Sequence, residues 1–226
     1  MTLFDLNGLM PPGPVRRDIG PGAVHLPGWL TFDQQARLAG AYAQWRAGPV
    51  PARAAMLPGG HRMSVETVCL GWHWQPYRYT RTADDVNGRR VRPLPGWLSD
   101  LARRAVADAY GQSDAADYRP DAALVNYYSP QARLGMHQDK DEITDAPVVS
   151  FSVGDGCLFR FGNTAHRGQP YTDVRLGSGD AFVFGLASRF AYHGVPKLFP
   201  AIAPVACGIA GGRLNITVRA TGLLEG

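Results

Sequence analysis

Between Val148 and Ala220 the chain is cut into short apolar runs, and this spacing narrows the possible folds more than any other feature. The runs are Val148–Val153, Cys157–Phe161, Val174–Leu176, Ala181–Phe184, Phe190–His193 and Arg213–Ala220, and glycine-rich turns such as Gly177-Ser178-Gly179-Asp180 separate most of them. Runs this short and rich in Val, Phe, Tyr and Ile are strands. Many of them at regular spacing indicate a sandwich or jelly roll rather than βαβ units. The 27 glycines and 18 prolines among 226 residues suit a sheet-rich fold, and 45% hydrophobic residues suffice for one full core. One domain is expected.

Upstream, residues 1–22 are punctuated by Pro and Gly and read as an extended arm without chemistry. A short strand is expected at Ala23–Leu26, followed by a helix capped by Thr31 or Asp33 that runs to about Trp45. Met63–Gly71 alternates as a strand. Pro95–Tyr110 reads as a second helix, with Trp97, Leu98, Leu101, Ala105, Val106 and Ala109 on one stripe and Gly111 just past its end. These two helices are expected to back the sheet. The net charge of +4 permits an anionic partner, and three scattered cysteines without C-x-x-C spacing argue against a disulfide framework or a zinc site. With no signal-peptide pattern and no long apolar run, a cytoplasmic protein without a membrane span is expected.

Chemistry concentrates in LVNYYSPQARLGMHQDKDE, residues 124–142. In an extended segment Asn126 and Tyr128 share one face, and His137, Asp139 and Asp141 share another. A His and an Asp two residues apart can offer adjacent ligands to one metal, and a distant histidine would complete a 2-His-1-carboxylate facial triad. His-x-Asp alone is a weak signal and also fits a surface turn. His193, in SRFAYHG, is the second histidine; its neighbour Gly194 would let backbone approach a metal or ligand closely. In the closing RLNITVR, alternation sends Leu214, Ile216 and Val218 to one face and Arg213, Asn215, Thr217 and Arg219 to the other. Two arginines facing inward require an anion, whereas a solvated face would not. A small dicarboxylic acid answers the first case, with one end on an arginine and the other on the metal.

GWHWQPYRYT, residues 71–80, gathers four aromatic rings. Trp72, Tyr77 and Tyr79 beside Arg78 suit stacking on a base, while Trp74 fits a hydrophobic hairpin equally well. The following loop carries Arg81, Arg89, Arg90 and Arg92, which could meet phosphates or simply be solvated.

Together LVNYYSP…LGMHQDKDE, SRFAYHG, RLNITVR, PGGHRMSV, LGW and the Tyr77-x-Tyr79 pair resemble the AlkB family of Fe(II)- and 2-oxoglutarate-dependent oxygenases, its bacterial nucleic-acid dealkylating members in particular. The resemblance implies a mainly β (α+β) fold, a double-stranded β-helix or jelly-roll core over residues 115–226, and a nucleotide-recognition lid over 60–95, within a single oxygenase domain spanning 23–226. It implies His137, Asp139 and His193 as iron ligands and Asn126, Tyr128, Arg213, Asn215 and Arg219 at 2-oxoglutarate. Trp72, Tyr77, Arg78, Tyr79, Asp141 and Arg167 would lie at the substrate. The activity so implied is oxidative demethylation of 1-methyladenine and 3-methylcytosine in single- or double-stranded DNA, with RNA as a further substrate class, by a monomer using Fe(II), 2-oxoglutarate and O2. Two rivals are a related oxygenase acting on protein or a small metabolite, and a silent jelly-roll module that binds only metal or nucleic acid.

Overall fold

The structure, a computed structural model of the chain, describes residues 15–223. In chain order its elements are β1 (Arg17–Gly20), β2 (Ala23–Leu26), α1 (Phe32–Arg46), β3 (Val65–Leu70), β4 (His73–Gln75), β5 (Arg78–Thr80), α2 (Gly96–Tyr110), α3 (Gln112–Asp117), β6 (Ala122–Tyr128), β7 (Leu134–His137), β8 (Val148–Gly154), β9 (Gly156–Phe161), β10 (Thr172–Leu176), β11 (Ala181–Phe184), β12 (His193–Phe199) and β13 (Arg213–Arg219). Seven strands form one sheet in the order β1-β2-β11-β8-β13-β6-β3. Four form a second, β10-β9-β12-β7, and β4-β5 is a separate hairpin. The two larger sheets make the jelly roll.

Strand β13 divides the molecule into layers. It pairs with β6 on one side and β8 on the other, both antiparallel, and all seven of its residues are buried. Its apolar row, Leu214, Ile216 and Val218, joins Leu38 and Tyr42 of α1 and Leu98, Leu101 and Val106 of α2 in one core. The other face of the large sheet meets the small sheet through a second core, in which Phe182 and Phe184 lie against Phe159 and Phe161. The Phe159 and Phe182 rings are 4.9 Å apart in an edge-on contact, a geometry favoured by the aromatic quadrupole. The polar row of β13 faces this inter-sheet space.

Both expected helices form, each with a local cause. Thr31 caps α1 with a full capping box, its hydroxyl accepting from the Gln34 backbone while Gln34 reaches back to the Thr31 N–H. The buried stripe of α2 is Leu98, Leu101, Ala102, Ala105, Val106 and Ala109, and the helix stops at Gly111, whose φ of 116° suits glycine alone. The six-residue α3 beyond it was not expected.

Four sequence expectations change. Part of the arm, Arg17–Gly20, is an edge strand paired with β2, and residues 1–14 of the arm lie outside the described residues. The 60–95 segment is not wholly a lid, because β3 pairs with β6 as an edge strand of the large sheet. The core likewise draws β1, β2 and β3 from before residue 115. Finally, the strand expected at Phe190–His193 begins at His193 and continues to Phe199. Pro196 masks it in the sequence. The pairing with β9 shifts between Gly194 and Lys197, and at such an irregularity the missing N–H removes no ladder bond.

Candidate metal and co-substrate site

His137 ends β7, His193 begins β12, and the two are direct cross-strand partners. Their rings lie 4.5 Å apart. Each ring has its Nδ1 within hydrogen-bonding distance of a backbone carbonyl two residues earlier, Gly135 O at 2.9 Å and Ala191 O at 3.0 Å. An Nδ1–H donated there leaves the Nε2 lone pair free, the tautomer a metal needs. The two Nε2 atoms each lie 3.7 Å from an Asp139 carboxylate oxygen. Ligand atoms of His137, Asp139 and His193 all fall within 4.8 Å of one another, the one such group found among the described residues. Gly194 allows this approach, though not as expected. A Cβ there would sit 2.7 Å from Leu134 O, so the glycine admits the backbone of β7 rather than a metal or ligand.

The alternation expected to carry Asp139 and Asp141 along with His137 ends where β7 ends. What holds the following loop is Arg189, a residue the sequence reading passed over. Its side chain is 1% exposed, and it donates to Ala146 O at 2.7 Å, Asp139 O at 2.6 Å and Glu142 Oε2 at 3.0 Å. Glu142 is buried as well; it accepts also from Tyr79 and Arg219. An arginine inside an apolar stretch just before the second histidine was the available signal.

Arg219 Nη2 lies 2.8 Å from Asp139 Oδ2. Burial alone would raise the pKa of Asp139, but Arg219, then His193 and His137, hold it down to about 2. Burial, with His137 adding to it, lowers His193 to about 4. Both groups are therefore in their ligating forms at neutral pH. His193 has a further consequence for the metal-free protein. Its unfolded form binds a proton below about 6.5 while the folded form refuses one until about 4, so stability present above 6.5 is lost as pH falls towards 4. Chelator-stripped protein is expected to show Tm falling across that window. A His193→Gln variant should show a shallower slope, and equal slopes would exclude His193 as the cause.

Beyond the triad lies the polar row. Asn126 and Tyr128 on β6 pair with Asn215 and Arg213 on β13, and all line one pocket with the three candidate ligands. Asn215 donates to Ser150 Oγ at 2.6 Å and accepts from Thr217. Arg213 is 1% exposed and has no carboxylate partner among the described residues. Only its Nη2 is bonded, to Ser152 Oγ at 3.0 Å, while Nε and Nη1 are buried without partners. A buried cation with two idle donors is costly unless an anion meets it. The solvated-face alternative for β13 is thereby removed. A carboxylate fits the donor set.

The substrate residues expected around this pocket divide. Trp72 is corrected: it is 7% exposed, its indole N–H bonds Asp121, and the Arg81 guanidinium lies 3.6 Å over its ring. It is packed into the scaffold and offers no open platform. Tyr79 is drawn into the site wall by its bond to Glu142. Tyr77 and Arg78 are exposed at the turn between β4 and β5, where Tyr77 takes a φ of 73°, a left-handed conformation uncommon for a bulky residue. Arg167 is exposed in the loop after β9, which Gln138 ties to the metal-ligand loop through Thr164 O at 3.1 Å. Asp141 Oδ2 accepts from the Trp74 indole at 2.8 Å. A larger groove on the helical side, beside Trp29 and α2, holds no comparable ligand set.

This geometry has counterparts. The profile of the 2OG-Fe(II) oxygenase superfamily matches residues 22–219. The alpha-ketoglutarate-dependent dioxygenase AlkB of Escherichia coli (strain K12) is 38% identical over 185 residues, 79% of this chain and 82% of that protein. The chain belongs to the AlkB family of 2OG-Fe(II) oxygenases. Another AlkB-family relative, the DNA N(6)-methyladenine demethylase ALKBH1D of Arabidopsis thaliana, is 31% identical over 221 residues, and the chain spans 50% of its length. The solved structure of OsALKBH1 matches with a TM-score of 0.80 at 30% identity, over 90% of this chain and 100% of that one. Membership makes Fe(II) the metal, with 2-oxoglutarate and O2 as co-substrates of a dioxygenase. Among the described residues no helix is long and apolar enough to cross a membrane.

Proposed function

We propose that this AlkB-family enzyme oxidatively demethylates alkylated nucleobases, with 1-methyladenine and 3-methylcytosine in DNA as its preferred lesions and RNA as a second substrate. The observation that carries the reading is the junction of two parts. A His-Asp-His group with His137 partly exposed lies beside an aromatic hairpin that is bonded to the metal-ligand loop and lifts Tyr77 and Arg78 into solvent. The Arabidopsis relative's name, a DNA N(6)-methyladenine demethylase, supports a methylated base as substrate. A protein or small metabolite would have less use for exposed Arg78 on the hairpin, Lys140 beside Asp139 and Arg167 in the loop after β9. We read the active unit as a single chain working in the cytoplasm.

His137, Asp139 and His193 would hold Fe(II), and Arg213 would take the remote carboxylate of 2-oxoglutarate with its two idle N–H groups. Tyr128 helps there: burial pushes its hydroxyl far above the ordinary range, so it stays protonated and can donate to a carboxylate. Asn126 and Asn215 flank the same ligand, and Arg219 steadies the Asp139 carboxylate. Bound Fe(II) would supply the oxidation, in which one O2 and one 2-oxoglutarate become succinate and CO2 as N–CH3 becomes N–CH2OH, which then loses formaldehyde and, from a cationic lesion, a proton to leave the unmodified ring nitrogen. Phe159 and Phe184 close the apolar side of the pocket and exclude water. The target base would be flipped out of its stack, at less cost when methylation has already broken pairing. Tyr77 and Arg78 would meet the strand, and Arg167 a phosphate.

Asp141 would set the preference between lesions. 1-Methyladenine and 3-methylcytosine are cationic near neutral pH; N6-methyladenine and 1-methylguanine are neutral. Asp141→Ala is expected to reduce kcat/KM about tenfold on the cationic lesions and less on the neutral ones, the scale of a charged hydrogen bond. Equal losses would remove charge selection from Asp141. The reading as a whole is tested by supplying Fe(II), 2-oxoglutarate and air with a mixed set of methylated DNA and RNA oligonucleotides and reading the products by mass. Succinate formation without loss of methyl from any base would refute it.

A further inference from the structure

Three carboxylates follow one another in the loop after β7, and they differ in what remains free. Asp139 belongs to the metal group. Glu142 is saturated by Tyr79, Arg189 and Arg219. Asp141 has one bond among the described residues, at Oδ2, from the Trp74 indole N–H. Its Oδ1 therefore remains available to a ligand.

Trp74 is unusually well fixed for a residue in a three-residue strand. Its backbone N–H lies 3.4 Å from Cys69 Sγ on β3, and its carbonyl accepts from Arg53 Nη2 at 2.8 Å. Arg53 is held in turn by Asp85 at 3.0 Å, which also bonds the fully buried His73 at 2.6 Å. The indole packs against the small cluster of Val50, Cys69, Ala83, Val91 and Leu124. The N–H aimed at Asp141 is thus delivered from the scaffold, anchored at several points.

The kind of donor matters. A lysine or arginine in this place would both orient and neutralise the carboxylate. An indole N–H donates one hydrogen bond, cannot accept, and carries no charge. It fixes one oxygen and leaves the full negative charge to act through the other. Resting on the functional reading above, we infer that Trp74 is a specificity-determining positioning residue: it holds Asp141 as an oriented, un-neutralised acceptor for a cationic base bearing an exocyclic amine.

Trp74→Phe keeps an aromatic ring in the cluster and removes the donor, with some loss of ring volume. Affinity of metal-free protein for oligonucleotides carrying 1-methyladenine or N6-methyladenine should be measured first, then kcat/KM on both with Fe(II) and 2-oxoglutarate. Trp74→Phe is expected to shift the ratio of cationic to neutral lesion about fivefold to tenfold towards the neutral one in both measurements, while 2-oxoglutarate affinity stays at the wild-type value. In an Asp141→Ala background the same substitution should leave that ratio unmoved, because the acceptor is gone. Equal losses on both lesions, or a shift that persists without Asp141, would reduce Trp74 to a structural support and overturn the inference. Wild-type protein that demethylates neither base would instead bring down the functional reading itself, and this inference with it.

Discussion

Asp139→Ala is expected to abolish Fe(II)-dependent turnover, lowering succinate formation at least about a hundredfold. No neighbour can replace the lost ligand. Glu142 is bonded on both carboxylate oxygens, and Asp141 lies outside the group of close ligand atoms. The substitution also frees Arg219 Nη2, but Nη1 of the same guanidinium keeps Glu142 and Tyr79, so the arginine is not left without a counter-charge. The fold should therefore survive, as a cooperative melt would show. Metal affinity, measured by titrating Mn(II) as a redox-silent substitute, should fall in parallel. Undiminished succinate release from a folded Asp139→Ala protein would remove Asp139 from the ligand set.

The second large effect belongs to Arg213. Arg213→Lys keeps the positive charge yet cannot reproduce a planar guanidinium that bonds Ser152 with one nitrogen and leaves two others for a ligand. The expected cost is about 1.5 to 3 kcal/mol of 2-oxoglutarate affinity, roughly 10- to 150-fold in Kd. Binding can be followed on metal-loaded protein held without O2. Because the lysine variant retains a buried cation lacking a carboxylate partner, its melting temperature should still respond to a dicarboxylate, only at higher concentration. Unchanged 2-oxoglutarate affinity would place the remote carboxylate elsewhere.

How legible these features were depended on whether their cause was local. RLNITVR announces both faces of β13 in seven residues, because alternation is a property of the strand itself. Thr31, one of the two caps expected for α1, and the Ala181–Phe184 strand were legible because their causes are also local. Trp72 was not, since a ring that stacks on a base and a ring packed inside look alike in sequence; its cover is Arg81 and its hydrogen-bond partner Asp121, the latter 49 residues away. Arg189 and Glu142 were missed likewise. Each is a buried charge whose counter-charge lies far away in sequence, and 47 residues separate the two. The end of β7 and the start of β12 lie opposite each other, at the His137–His193 pair, a boundary set by pairing between strands rather than by composition.

Strand β13 has a consequence for how the sheet finds its alignment. It carries the apolar seam of the helical core on one face and the cationic row on the other, with neighbours hydrogen-bonded along both edges. A slip of one residue against β6 would turn Arg213 and Arg219 towards α1 and α2 and push Leu214, Ile216 and Val218 into the polar pocket. Such a sheet would bury two guanidinium groups among aliphatic side chains and leave the buried Asp139 carboxylate without its guanidinium, each a penalty of several kcal/mol. The groups recruited for chemistry thus act during folding as a register key, and a chain that has closed the wrong way cannot also assemble a working pocket.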